Sequence, residues 1–156
     1  MPRFVCLIPL IAGAIIYGLF GHPTLPILDF QFAGDATDAA QTVAGRTGDF
    51  RDALRADWIA MIPGMALTLG LASWRHGDRR IAIAGVLFGL AAASCDIIEN
   101  AYGWQGLNQG TDRAFELQSI FAAIKYALLV PAVGLAAWGL FRPTVRAQSV
   151  RETQDA

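Results

Sequence analysis

Four long apolar runs, 4–20, 58–74, 81–104 and 117–141, leave this chain little choice of fold. A membrane-spanning helix needs about 20 apolar residues, with a range of roughly 17–25. All four runs meet that length, the first two only just. Charged residues make up 16% of the chain, against about 25% in an ordinary soluble domain. The expectation is an all-α, polytopic membrane protein: a four-transmembrane-helix bundle with a long outer loop between the first and second spans. Residues 1–142 then form one domain, and 143–156 a polar cytoplasmic tail. No small-residue cleavage motif follows the first run, so that run is expected to stay as a helix.

Orientation follows from the arginines. Arg3, then Arg75, Arg79 and Arg80, then Arg142, Arg146 and Arg151 flank the runs on one side. The positive-inside rule puts that side, with both termini, in the cytoplasm of a bacterial inner membrane. The 21–57 segment carries six aspartates against three arginines and is assigned outside with the short 105–116 loop. Trp58, Trp74, Trp104 and Trp138 fall at or near the run ends, where indole rings prefer the headgroup level.

The outer segment is not featureless. Within DATDAAQTVAGRTGDFRDALRADW, Ala39, Ala40 and Val43 line one weak apolar face. Phe50, Ala53 and Leu54 line another, with Gly45 and Gly48 expected to break between them. Such an element lies on the membrane surface, caps the bundle mouth, or merely connects two helices. Cys6 and Cys95 sit at different depths in different runs. They read as small buried hydrophobes and not as a disulfide.

Function is concentrated in a few costly residues. Lys125, the only lysine, lies inside the fourth run, and Asp96, Glu99 and Asn100 lie inside the third. Ionisable groups in such segments face a protein interior and mark a working site or a polar clamp. At about 100° per residue, Asp96 falls within about 20° of Gly85, Glu99 within about 40° on the other side, and Asn100 within about 60°. They therefore share a face with Gly85, Gly89 and Ala93, small residues that let helices approach closely. Lys125 shares a face with Gln118, Ala122, Leu129, Ala132, Ala136 and Gly139, at a similar depth. A Lys125–Asp96 or Lys125–Glu99 ion pair follows. Asp57 sits at the outer mouth of the second span, above Met61, Gly64 and Thr68. Pro63 and Pro131 interrupt the second and fourth spans.

Two carboxylates against one ammonium leave an excess of negative charge. A proton, Arg55 or Arg113 from the outer segments, or a bound cation would balance it, and the sequence leaves the three open. The strings ILDFQFAGD at 27–35, RADWIAMIPG at 55–64, CDIIENA at 95–101 and IKYAL at 124–128 carry a resemblance. Together they resemble a loose group of uncharacterised small bacterial four-helix integral membrane proteins, with an Asp-x-x-Glu-Asn motif in the third helix and a lone lysine in the fourth. The resemblance implies that Asp29, Asp57, Asp96, Glu99, Asn100 and Lys125 belong to one pattern, and it names no substrate.

Asp57, Asp96, Glu99, Asn100 and Lys125 are thus the candidate site, opening to the outer face. The first reading is binding of a small amphipathic or charged ligand: a lipid headgroup, a small molecule or an ion. A structural or assembly subunit is the alternative, and a membrane-embedded lipid-modifying enzyme comes third. Asp96 and Glu99 are suited to acid–base work, yet no catalytic role can be assigned to a residue. His22 and His76 lie on opposite sides of the membrane, so no metal site is assigned, and no cofactor is named. The expected partners are the bilayer, a small-molecule or lipid ligand, and a second copy or another subunit of a membrane complex. No nucleic acid is expected.

Overall fold

The computed structural model of the chain describes residues 3–21, 24–75 and 78–141. The tail expected over 143–156 and the two histidines lie outside the described residues. All regular structure among them is helical. A 3-10 turn over Arg3–Leu7 leads into α1 (Ile8–Phe20); α2 (Ile27–Gln31), α3 (Ala36–Val43) and α4 (Thr47–Ala56) follow. A π-helical turn, Asp57–Met61, joins α4 to α5 (Ile62–Trp74) without a break; α6 (Arg79–Gln109) and α7 (Asp112–Phe141) complete the fold. Three continuous helices, Thr47–Trp74, Arg79–Gln109 and Asp112–Phe141, are long and apolar enough to cross a membrane, and Phe4–Phe20 is a shorter apolar helix.

The helices overrun the apolar runs that signal them. Hydropathy marks where lipid would be, whereas a helix continues until its backbone is capped. Asp78 caps the start of α6, its carboxylate accepting from the Arg80 amide at 2.8 Å. Gly110 ends that helix in the left-handed conformation at φ 63°, where a side chain is disfavoured. The loop expected over 105–116 therefore shrinks to Gly110 and Thr111.

The expected long outer loop is a set of three short helices. Asp35 caps α3 by accepting from the Thr37 and Asp38 amides at 2.8 and 2.9 Å. Ala44 and Gly45 end it at positive φ. Gly48 does not break the segment; it lies in the first turn of α4, where missing helix propensity costs little. Phe30, Ala39, Val43, Phe50, Ala53 and Leu54 bury together against Phe115 of α7. Phe30 anchors the cluster, its ring centroid 4.8 Å from Phe50 and 6.1 Å from Phe115. This cap is tied down by polar bonds: Gln118 Nε2 donates to the Phe30 carbonyl at 3.2 Å and Ser119 Oγ to the Ala33 carbonyl at 2.9 Å. The Ala36 amide donates to Asp112 at 2.9 Å.

Below the cap, α5, α6 and α7 form a mutually packed trio, with the largest interface between α6 and α7. The buried face of α6 runs through Ala82, Gly85, Gly89, Ala92, Ala93, Asp96, Glu99, Asn100, Gly103 and Gly106, the spacing of one helical stripe. Helix α1 is peripheral and packs on α5, the π turn and α4. That contact is close because Gly13 and Gly64 face backbone: a Cβ on Gly64 would lie 2.5 Å from the Pro9 carbonyl oxygen, and one on Gly13 2.6 Å from that of Ala60. The Leu10 amide donates to Thr68 Oγ1 at 3.1 Å. A second apolar cluster, Cys6, Leu69, Ala72, Ala132 and Ala136, closes the far end. Both cysteines are free.

The π turn places its extra residue beside Pro63. The Ile62 amide donates five residues back, to the Asp57 carbonyl. Proline has no N–H and its ring crowds the carbonyl four residues earlier, so a wide turn just ahead of Pro63 relieves that clash. Around it the buried small residues Ala56, Ala60, Gly64, Thr68 and Ala72 recur every fourth position.

Candidate functional site

Between the two apolar clusters lies a buried polar layer. Asp96, Glu99 and Asn100 come from α6 and Lys125 from α7. Their residues are 5%, 0%, 1% and 4% exposed, so each charge must find its partner inside the protein. Lys125 Nζ lies 2.9 Å from Asp96 Oδ1 and 2.6 Å from Glu99 Oε2. The Asp96 contact has hydrogen-bond geometry. The Glu99 contact is an ion pair by distance whose angles are poor for a hydrogen bond, and Glu99 Oε1 has no hydrogen-bond partner among the described residues.

Asp57 reaches the same layer from the π turn. It accepts from Asn100 Nδ2 at 2.6 Å. It forms no ion pair among the described residues, and the arginines that could have approached are held elsewhere. Arg55 pairs with Asp52 at 3.1 Å and stacks over Trp104, its guanidinium carbon 5.0 Å from the ring centroid. Arg113 pairs with Glu116 at 2.7 Å. Neither arginine balances the cluster.

A cavity of about 270 Å³ opens beside this layer. Asp57, Asp96, Asn100 and Lys125 form its polar wall, and Leu54, Met61, Met65 and Leu129 contribute apolar surface. Glu99 does not line it and is fully buried. Asp29, grouped with the cluster by sequence resemblance, is exposed on α2 and does not line the cavity either.

Three polar wall residues were not singled out in the sequence: Tyr17 of α1, Gln31 of α2 and Tyr126 of α7. Tyr126 OH donates to Gln31 Oε1 at 3.0 Å, and its ring stacks on Phe32 at 5.9 Å between centroids. The Lys125 ammonium lies 4.9 Å from the Tyr126 ring centroid, a further cation–π contact. The adjacency of Tyr126 to Lys125 was visible in the sequence. The role of Gln31 depends on how α2 folds back, which no local pattern encodes. Gln31 is 7% exposed, and only one end of its amide has a protein partner among the described residues.

Chemically the site combines an ammonium already neutralised, a carboxylate held only by a neutral amide, and an apolar chamber. What the fold and site define is an all-helical protein with three helices fit to cross a membrane and a buried charged layer between them. No family model, curated protein or solved structure matches the chain.

Proposed function

We propose that this is an inner-membrane protein of four spans, with α1 as the shortest and both termini cytoplasmic. It binds a small amphipathic or charged ligand in the cavity between α1, α2, the π turn, α6 and α7, entered from the outer side. The observation that carries the reading is the 270 Å³ cavity with Asp57, Asp96, Asn100 and Lys125 on its wall. Its volume lies just below the roughly 300–1,000 Å³ of drug-sized ligand sites, which suits a small ligand, and such sites combine an apolar lining with a few convergent polar groups. A connecting segment that folded only to link two helices would have no need to place Gln31 and Phe30 over this chamber. Membership of the small bacterial four-helix proteins that the sequence resembles is part of the same proposal.

The test is mass spectrometry of protein purified in mild detergent, comparing the native chain with Met61→Trp, which fills the chamber without altering a charge. A co-purifying molecule that disappears in the variant supports binding. A native protein that carries nothing, and whose cellular phenotype survives Met61→Trp, refutes it. A second reading, a structural or assembly subunit, is favoured by one observation: Lys125 is gripped from both sides by α6 carboxylates, as a fastener between α6 and α7 would be.

A further inference from the structure

The charges around the cavity are unequally matched, and the mismatch selects a ligand. Lys125 is held by two carboxylates at 2.9 and 2.6 Å. An anion entering the chamber would find that ammonium already engaged and would meet Asp57 and Asp96 as well. A cation would meet Asp57, whose only hydrogen-bond partner among the described residues is the neutral Asn100 amide. A buried or half-buried carboxylate without a counter-charge is costly, and an ammonium supplies the missing charge together with its own hydrogen bonds.

A bare metal ion fits less well. Among the described residues no group of three or more His, Cys, Asp or Glu side chains is arranged to hold one, and hard cations want six or more oxygen ligands or retained water. The apolar part of the wall, Met61, Met65 and Leu129 with Phe30 of the cap, would be wasted on a metal but suits a hydrocarbon body. Gln31 adds a second handle. A half-turn of its amide exchanges oxygen and nitrogen, because the Tyr126 hydroxyl can either donate or accept, so the free end can offer an acceptor to an N–H.

We propose that the cavity takes an ammonium carried on an apolar body, and that Asp57 is the carboxylate that receives it. The inference rests on the binding reading above and narrows it to one chemical class. The ammonium is that of a free amphipathic amine or of an amine-bearing lipid headgroup.

The experiment is a thermal-shift titration of the full chain in mild detergent with three probes of one shape: phenylbutylamine, phenylbutanol and phenylbutyrate. A ligand that binds only the folded state raises the melting temperature by an amount that grows with the logarithm of its concentration relative to its Kd, so titration gives the relative affinities. The amine should bind at least about tenfold more tightly than the alcohol, and the acid more weakly than either. Asp57→Asn should remove most of the amine's advantage while leaving the alcohol unchanged, and Asp57→Glu should retain it. Preference for the acid, or equal binding of amine and alcohol, overturns the ammonium assignment while cavity binding itself survives. If Asp57→Asn does not fold, the amine-to-alcohol ratio in the native chain decides alone. No shift with any probe, in protein that still carries a co-purified molecule lost in Met61→Trp, also overturns the ammonium and leaves the binding site standing. Nanodiscs of phosphatidylethanolamine and of phosphatidylglycerol separate the sources. Stabilisation by the former that Asp57→Asn abolishes identifies a headgroup; amine binding without it identifies a free amine.

Discussion

Replacing Lys125 with methionine is the most informative single change, because it keeps an unbranched apolar stem and removes the charged terminal nitrogen with its hydrogen bond to Asp96. The ammonium faces Asp96 at 2.9 Å and Glu99 at 2.6 Å. At an effective dielectric constant of about 20, each pair is worth about 6 kcal/mol of gross attraction. Most of that is offset by the several kcal/mol each ion loses on leaving water, so the pairs are not a large net source of stability. Truncation exposes the other side of the ledger: two carboxylates remain buried without a counter-charge, and breaking such a pair costs about 3–5 kcal/mol. Taking about 2–4 °C per kcal/mol for a chain of this size, Lys125→Met should lower the melting temperature in detergent by about 10 °C. The carboxylates should not share the rescue equally. Glu99 is fully enclosed with one oxygen unpartnered, whereas Asp96 lines the cavity. Lys125→Met with Glu99→Gln should therefore recover more stability than Lys125→Met with Asp96→Asn, and the triple variant should recover the most. The assay is fluorescence-detected size exclusion after a heating series. A Lys125→Met protein melting within about 2 °C of the native chain would refute the low-dielectric placement of the layer.

Further outcomes follow from other contacts. Gly64→Leu should drive its side chain into the Pro9 carbonyl, 2.5 Å from the position of its Cβ, and destabilise the α1–α5 contact by about 1–3 kcal/mol or more, read as a lowered melting temperature. Gly85→Leu should do the same between α6 and α5, where its Cβ would lie 2.6 Å from that of Ser73; an unchanged melting temperature would mean that this face does not pack as described. Tyr126→Phe removes the bond to Gln31 at 3.0 Å and should cost about 1 kcal/mol, with faster proteolysis of the α2 segment as the local readout. Orientation is checked with an impermeant maleimide. Gly34→Cys should label in intact cells and Asp78→Cys only after permeabilisation; the reverse pattern would invert the proposed topology.

Much of the helix packing was legible in the sequence because small residues and burial share one period. Gly85, Gly89 and Ala93 predicted the inward face of α6, and Asp96, Glu99 and Asn100 lie buried on it. The α7 face through Gln118, Ala122, Lys125 and Ala132 reads the same way. Helix ends were less legible: hydropathy stops at Trp104, but α6 runs on to Gln109 until Gly110 caps it. The cap was least legible. Its helices are short and mixed in composition, and what fixes them is a tertiary cluster around Phe30, Phe50 and Phe115 drawn from distant parts of the chain. Gln31 joins the cavity wall next to Phe30 of that cluster, and Tyr17 joins it from α1. Of the three ways of balancing the cluster that the sequence leaves open, the arginines are the one the fold does not use: Arg55 and Arg113 pair with acids three residues away on their own helices.

The π turn has a consequence for how this chain can change length. In a regular α-helix a residue every fourth position drifts by about 40° per step. From Ala56 to Ala72 that drift would carry the small-residue stripe most of the way to the opposite side. The extra residue in Asp57–Met61 sets the stripe back by roughly 100°, so that Ala60, against Gly13, and Gly64 and Thr68, against Pro9 and Leu10, stay in phase with α1. The turn works as a vernier between two bodies that each have their own rotational setting. A one-residue deletion elsewhere in Thr47–Trp74 would rotate everything beyond it out of phase. A deletion within the turn would convert it to plain α-helix and turn Asp57 relative to Asn100, so this one position translates chain length directly into the aim of a carboxylate.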